Sequence, residues 1–142
     1  MRSGPVLLAL PLLLSACGEI RQNVKPIALS GLMSQEICVV ENRAVRESFL
    51  DVYKAALAQK GLTVRMLPEG TAVDACPLTS IYAANWRWDL ALYLAYVDLK
   101  VYQNGNLTAE ALYDSLKAAL DAEKFIDATK KIDELTDRLF SG

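Results

Sequence analysis

The sequence predicts an α/β (α+β) fold: a mixed sheet of about five strands with two helices packed on one face, the elements following in the order β-α-β-β-β-β-α. Three observations predict it. An apolar run, a helical repeat and an alternating run follow one another over residues 36–67. Alternation with a period of two, which is typical of strands, dominates residues 78–113. Apolar residues recur at spacings of three and four over residues 121–140, as in an amphipathic helix.

The first unit is a strand, a helix and a strand. Residues 37–40 (ICVV) form a short apolar run that is typical of a buried strand, and Asn42 is a suitable cap for the next element. Residues 43–60 are predicted as a helix that ends at Gly61. Residues 62–66 alternate, so we expect a second strand, parallel to the first through a right-handed crossover. The apolar face of this helix comprises Val45, Phe49, Val52, Tyr53, Ala56 and Leu57.

A strand meander follows. Alternation predicts two long strands over residues 78–88 and 92–103, with a bend near 89–91. Asn104-Gly105 is a strong hairpin signal, so a third strand is expected over residues 107–113.

The last element is predicted as a helix over residues 121–140, while residues 115–122 fit either the start of a helix or a loop. The apolar face of that helix comprises Phe125, Ile126, Thr129, Ile132, Leu135, Thr136 and Leu139.

The N-terminus has the pattern of a lipoprotein signal peptide. A basic start precedes an uncharged apolar run that is too short to span a bilayer, and small residues follow it. Leu14-Ser15-Ala16-Cys17 matches the lipobox, which predicts cleavage before Cys17 and acylation of that cysteine. Gly18, rather than Asp, follows, which favours sorting to the outer membrane. The alternative is an ordinary signal peptide with an incidental cysteine.

The predicted organisation is a signal peptide (residues 1–16), a lipidated cysteine with a tether (17–35) and one globular periplasmic domain (36–142). Cleavage removes one basic residue, Arg2, and no acidic residue, so the formal net charge changes from −2 to −3. A mildly acidic chain of this kind is not expected to bind nucleic acid, which requires a concentrated basic surface.

Two cysteines, Cys38 and Cys76, remain after Cys17 is assigned to the anchor. In an oxidising periplasm an even pair is typical of a disulfide, and the alternative is two buried free thiols. The chain has no histidine, so catalysis that depends on a histidine base is excluded. We expect no metal site and no cofactor, because neither a metal-ligand cluster nor a glycine-rich phosphate loop is apparent.

Trp86-Arg87-Trp88-Asp89 is the candidate binding surface, because aromatic residues and arginine are enriched at interfaces. The alternative is that both tryptophans pack on the helices while Arg87 and Asp89 pair on the open face, which the alternation alone would also produce. Asp89, Asp98 and Glu110 resemble the paired carboxylates of glycoside hydrolases, but no local signature accompanies them. We therefore expect no enzymatic activity.

The stretch YAANWRWDLA (residues 82–91), followed by VYQNG (101–105) and ALYD (111–114), resembles a family of small uncharacterised proteobacterial lipoproteins, the Sbal-type integral membrane protein family. The resemblance covers residues 36–140, and it implies cysteines at Cys38 and Cys76, which supports the bridge. The family pattern is glycine-rich where residues 115–120 (SLKAAL) look helical. The integral-membrane description does not fit, since nothing after Leu14 is apolar for long enough to span a bilayer.

At the level of the fold, the order of elements is similar to the curli-secretion lipoprotein and to TolB N-terminal domains. The function predicted is a membrane-anchored, non-catalytic envelope lipoprotein that binds a protein partner or associates with itself. The alternatives are an accessory subunit of an envelope secretion or transport complex, and a small-ligand or glycan binder that uses Trp86 and Trp88.

Overall fold

A computed structural model describes Gly4 and residues 19–118 and 121–142. It has one six-stranded mixed sheet, in the spatial order β1-β6-β5-β4-β2-β3, and two α-helices. The strands are β1 (Arg21–Lys25), β2 (Glu36–Val40), β3 (Thr63–Leu67), β4 (Leu78–Asp89), β5 (Ala91–Gln103) and β6 (Asn106–Asp114). The helices are α1 (Glu47–Gln59) and α2 (Ala128–Leu139), and short 3-10 helices cover Leu29–Gly31 and Ala122–Phe125.

The predicted strand–helix–strand unit is confirmed. β2 pairs in parallel with β3, with Cys38 beside Arg65, and α1 connects them. β2 also pairs in parallel with the start of β4, where Cys38 lies beside Thr79. β4, β5, β6 and β1 are successively antiparallel, so the meander predicted from alternation forms one half of the sheet.

The expected five strands are one too few, because Arg21–Lys25, predicted as part of the tether, is a strand at the edge of the sheet. The prediction missed it because the segment RQNVK has no apolar alternation. The side chain of Gln22 replaces an apolar residue there, and it bonds Glu134 at 3.2 Å and the Lys131 ammonium at 3.0 Å. The ladder with β6, the packing of Val24 on the core and these polar contacts with α2 thus stabilise a strand that has too few apolar residues to show an alternating pattern.

Both helices begin later than predicted. The side-chain oxygen of Asn42 accepts from the Ala44 N–H, which makes a local turn, and α1 starts only at Glu47. α2 starts at Ala128 rather than near residue 121, because the Asp127 carboxylate accepts from the N–H of Lys130 and caps the helix there. Residues 122–125 before this cap form the 3-10 helix.

The core lies between the sheet and the two helices. Phe49, Tyr53 and Leu57 of α1 and Leu135 of α2 are fully buried in it. The Tyr53 hydroxyl shares a hydrogen bond of 2.7 Å with Ser80 Oγ, which satisfies a polar pair inside this core.

Cys38 and Cys76 form the predicted disulfide, which joins β2 to the loop that leads into β4. Their Cα atoms lie 6.3 Å apart, and both side chains are buried. The bridge is therefore placed where β2 and β4 share only a short ladder.

Two antiparallel hairpins lie at opposite ends of the meander. The β5–β6 turn has positive φ at Asn104 (48°) and Gly105 (81°), as the Asn-Gly signal predicts. The β4–β5 turn at the other end is centred on Leu90, with φ of 60°.

Candidate functional site

The four residues of the candidate binding surface do not lie in one environment. The Trp86 ring is half-buried against α1: it meets Phe49 edge-on with centroids 6.1 Å apart, and the Arg46 guanidinium lies 5.1 Å from its centroid. This tryptophan packs on a helix, as the alternative interpretation expected.

Trp88 is placed differently. It is two residues further along β4, on the same face as Trp86, and its side chain is 75% exposed. Leu92 is its partner across the hairpin and is 47% exposed. The β4–β5 hairpin therefore extends beyond the part of the sheet that α1 covers.

The turn residue Leu90 is 93% exposed and has a backbone φ in the left-handed region. An L-residue other than glycine or asparagine occupies that region at a cost of about 1–2 kcal/mol. Stability alone would favour glycine or asparagine here, both for the backbone conformation and for contact with water.

The alternative interpretation expected Asp89 to pair with Arg87, and this expectation is wrong. The Asp89 carboxylate binds the ammonium of Lys124, which lies in the 3-10 helix Ala122–Phe125. Phe125 stands edge-on to Tyr93 of β5, with ring centroids 5.4 Å apart, yet remains 42% exposed. The 3-10 helix is thus fastened to the hairpin by an ion pair and an aromatic contact.

Leu116 adds a further exposed apolar side chain at this end. It follows Ser115, whose N–H and hydroxyl both bond the carbonyl of Ala95 at the base of the hairpin. We call the following group the apolar end: Trp88, Leu90, Leu92, Leu116 and Phe125.

The N-terminal residue of β1 lies at this same end of the sheet. Arg21 pairs with Asp114 of β6, and Asp114 pairs with Tyr96 of β5, so the three residues stand in one row across the strands. Arg21 also donates a 2.7 Å hydrogen bond to the Asp114 carboxylate. β1 therefore begins at the end of the sheet from which the hairpin projects, and its first residue is four positions after Cys17 in the sequence.

On the sheet face away from the helices, a charged cluster forms around Lys100. Its ammonium lies 3.3 Å from Asp98 and 3.7 Å from Glu110. Partial burial and the neighbouring Asp98 carboxylate raise the pKa of Glu110 above its usual value. Asp89 is on the distant hairpin tip and binds Lys124, so the three carboxylates considered for glycoside hydrolysis do not come together.

A cavity of about 580 Å³ opens beside the 3-10 helix. Ile20, Tyr113, Phe125 and Lys131 are among its lining residues. The Lys131 ammonium is already engaged: it bonds Glu134 at 2.9 Å and lies 4.7 Å from the Tyr113 ring centroid. The lining therefore combines apolar and aromatic side chains with the polar groups of Gln22 and Glu123.

Cys17 and the lipobox lie outside the residues that the structure describes. Across residues 19–118 and 121–142, no group of three or more Cys, Asp or Glu side chains is arranged to hold a metal ion. Within those same segments no helix has the length and apolar character needed to cross a membrane.

Sequence reasoning missed most of the apolar end. The alternating pattern predicts a bend at Leu90, and the helical spacing predicts that Phe125 lies on the buried face of a helix. One local signal was present: the turn between two alternating runs holds Asp89-Leu90-Ala91, with neither glycine nor asparagine. Leu92 and Trp88 are exposed because α1 does not reach over the hairpin tip, and nothing in the sequence around these two residues indicates this.

The chain is similar in fold to PelC from Paraburkholderia phytofirmans, solved as a dodecamer in two crystal forms. One form, carrying a substitution, is 19% identical with a TM-score of 0.56, covering 86% of this chain and 97% of PelC. The other form is 18% identical with a TM-score of 0.56, and the similarity covers 87% of this chain and 99% of PelC. The chain is less similar to a minor lipoprotein from Acinetobacter baumannii, at 13% identity and a TM-score of 0.43. That similarity covers 76% of this chain and 92% of the lipoprotein.

Neither a protein-family model nor a curated protein sequence matches the chain. At these identities the similarity to PelC shows a shared fold. The resemblance to the Sbal-type lipoproteins stays a prediction.

Proposed function

We propose that this protein is a lipid-anchored envelope lipoprotein that works by assembling with copies of itself and has no catalytic role. The observation that carries the proposal is the end-to-end similarity of fold to PelC, whose structures are dodecamers. The lipobox at Cys17 supports the anchor, and Gly18 supports the outer membrane.

The two edges of the sheet offer one geometry for assembly. β1 and β3 are the outermost strands, and among the described residues each is paired with a strand on one side only. The pairing pattern makes β1 antiparallel to β3, so β3 of one copy and β1 of the next would form an antiparallel ladder. Such a head-to-tail contact generates rings when its rotation closes.

The assembly is tested by light scattering on the mature, acylated chain purified in detergent. A discrete mass many times that of the monomer is expected. A monomer at every protein concentration would overturn the self-assembly.

The anchor is tested in cells by labelling with radioactive palmitate. We expect the label to disappear in Cys17→Ala and to remain in the matched control Cys38→Ala/Cys76→Ala, which keeps the lipobox. If Cys17→Ala is still labelled, the proposed anchor is wrong.

A role as an accessory subunit of a secretion or transport complex would follow if the assembly held a second protein. Crosslinking in cells followed by mass spectrometry distinguishes the two cases. Crosslinks only between copies of this chain support self-assembly alone, and reproducible crosslinks to one envelope protein identify the partner.

Glycan binding is the weaker alternative. It was predicted to use both tryptophans, but the ring of Trp86 is occupied by Phe49 and Arg46, so only Trp88 offers a free face. Quenching of tryptophan emission by cell-wall fragments, absent in Trp88→Phe, would support it.

A further inference from the structure

We propose that the apolar end is a second membrane contact, and that the tip of the β4–β5 hairpin enters the lipid surface to which Cys17 anchors the chain. This proposal rests on the proposed anchor and extends it from the lipid to the folded domain. The partner proposed for the apolar end is the surface of a phospholipid bilayer.

The first argument is where the exposed apolar residues lie. Eight large hydrophobic side chains are exposed among the described residues, and five of them form the apolar end. Met33 and Leu107 belong to the opposite end: the Met33 N–H donates to Gln103, and Leu107 follows the β5–β6 turn. Leu29 is the remaining one, so most of the large exposed hydrophobic side chains, including the most exposed, Leu90, lie at one end of the domain.

The second argument is the reach of the anchor. From Arg21, four residues back to Cys17 span at most about 14 Å. From Tyr96, in the same row as Arg21, the six residues to Leu90 rise about 20 Å along the strand. An anchor this short brings the hairpin tip to the lipid surface.

The third argument is the chemistry of the tip. Tryptophan is enriched at membrane interfaces, and leucine transfers favourably into acyl chains. The single acidic residue of the tip, Asp89, is neutralised by Lys124, while Arg87 is exposed and can meet anionic headgroups. A tip with this composition suits a surface that is apolar beneath an anionic layer.

The fourth argument is the conformation of Leu90. It combines a left-handed backbone with 93% exposure, so its side chain adds nothing to the buried core. An apolar side chain presented to solvent on a strained backbone points to a use outside the fold. A protruding hairpin tip is also too small to bury the ~800 Å² per partner of a stable protein interface, whereas a lipid surface closes around it.

The experiment uses the mature, acylated chain in vesicles of phosphatidylethanolamine and phosphatidylglycerol, prepared with and without brominated acyl chains. Bromine quenches only a tryptophan that enters the lipid. We expect quenching in the wild type and its loss in Trp88→Phe, which retains Trp86. Equal quenching in both proteins would overturn the proposal.

A second measurement removes the acyl chain and compares vesicle flotation of three proteins, each carrying Cys17→Ala. The tip variant adds Trp88→Ser and Leu90→Ser, and the matched control adds Met33→Ser and Leu107→Ser at the other end. Loss of two apolar side chains from the membrane contact should weaken binding by about tenfold or more, and the control should bind like the parent. Trp88, Leu90, Met33 and Leu107 are all exposed, so unchanged far-ultraviolet circular dichroism relative to the Cys17→Ala parent is expected.

The outcomes separate this proposal from the anchor. If Cys17 is acylated but Trp88 is not quenched, the hairpin contact is wrong and the anchor stands. If Cys17 is not acylated but the tip variant still loses flotation, the anchor is wrong and the contact stands. If Trp88 becomes shielded from acrylamide without lipid as protein concentration rises, the tip packs against another copy and the proposal is overturned.

Discussion

Arg21, the first residue of β1, donates a 2.7 Å hydrogen bond to the carboxylate of Asp114, the last residue of β6. This pair fastens the start of the edge strand to the meander. The antiparallel ladder with β6 places the start of β1 at the end of the sheet that carries the β4–β5 hairpin, which is the end expected to face the membrane if Cys17 is the anchor. Hydrogen bonding from Arg21 lowers the pKa of Asp114, although partial burial acts in the opposite direction.

Replacing Arg21→Gln is expected to lower the free energy of unfolding by about 0.5–1 kcal/mol at pH 7, since the pair is largely exposed on the Arg21 side. Because the folded-state pKa of Asp114 is below its unfolded value, the pair stabilises the fold above that unfolded value. This stabilisation disappears as the pH falls through the folded pKa. Urea unfolding of both proteins should therefore differ at pH 7 and converge in acid.

The control for this prediction is Arg65→Gln in β3. Arg65 and Glu36 are both exposed and their charged atoms lie 3.9 Å apart, so a smaller effect is expected. Equal losses for Arg21→Gln and Arg65→Gln would show that the Arg21–Asp114 pair has no special role.

Removing the disulfide with Cys38→Ala/Cys76→Ala should lower the free energy of unfolding by about 2–4 kcal/mol, because the bridge restricts the unfolded chain across a separation of 38 residues. Chemical denaturation measures the change. Reduced wild type should lose a comparable amount, and thiols that react with a chromogenic reagent in the unreduced, unfolded protein would contradict the bridge.

The two tryptophans should differ in their effects on stability. Trp86→Ala removes a half-buried ring that contacts Phe49 and Arg46, so a loss of about 2 kcal/mol is expected. Trp88→Ala removes an exposed ring and should cost less than about 0.5 kcal/mol. Thermal and urea unfolding of both variants tests this difference, and a large loss for Trp88→Ala would mean that its ring packs within the domain.

Relative to wild type, Glu110→Gln should raise the free energy of unfolding at neutral pH more than it does in acid. The folded-state pKa of Glu110 is raised, by partial burial first and then by Asp98, so the folded protein retains this proton more tightly than the unfolded chain. Its stabilisation is present below the unfolded pKa and is lost as the pH rises through the folded pKa. Glutamine resembles the protonated form and removes that dependence.

The measurement for Glu110→Gln is the difference in unfolding free energy from wild type at pH 4 and pH 7. The difference should favour the variant more at pH 7. Asp51→Asn, on the exposed side of α1, changes the charge equally and controls for net charge. A difference that does not depend on pH would contradict the assignment to Glu110.

Much of the fold followed from local pattern. Alternation over residues 78–113 predicted the meander because each strand buries one face, and the Asn104-Gly105 turn was identified because it requires positive φ at both residues. The bounds of α1 and α2 were predicted less well, since Asn42 bonds a nearby N–H instead of capping α1 and Asp127 caps α2 well inside the predicted helix. Short polar side chains such as Asn and Asp form both helix caps and local turns outside helices, and hydrophobic periodicity does not distinguish the two.

By itself the sequence predicted the strand–helix–strand unit, the meander, a bridge between Cys38 and Cys76 in preference to two free thiols, and an anchor at Cys17. Each of these depends on spacing along the chain or on residue chemistry. Only the tertiary structure decided that β1 pairs with β6 and contacts α2 through the polar side chain of Gln22, and that Trp86 is covered while Trp88 is not. The physical reason is that burial at an edge or at a hairpin tip depends on how far a distant helix reaches, and no local periodicity records that distance.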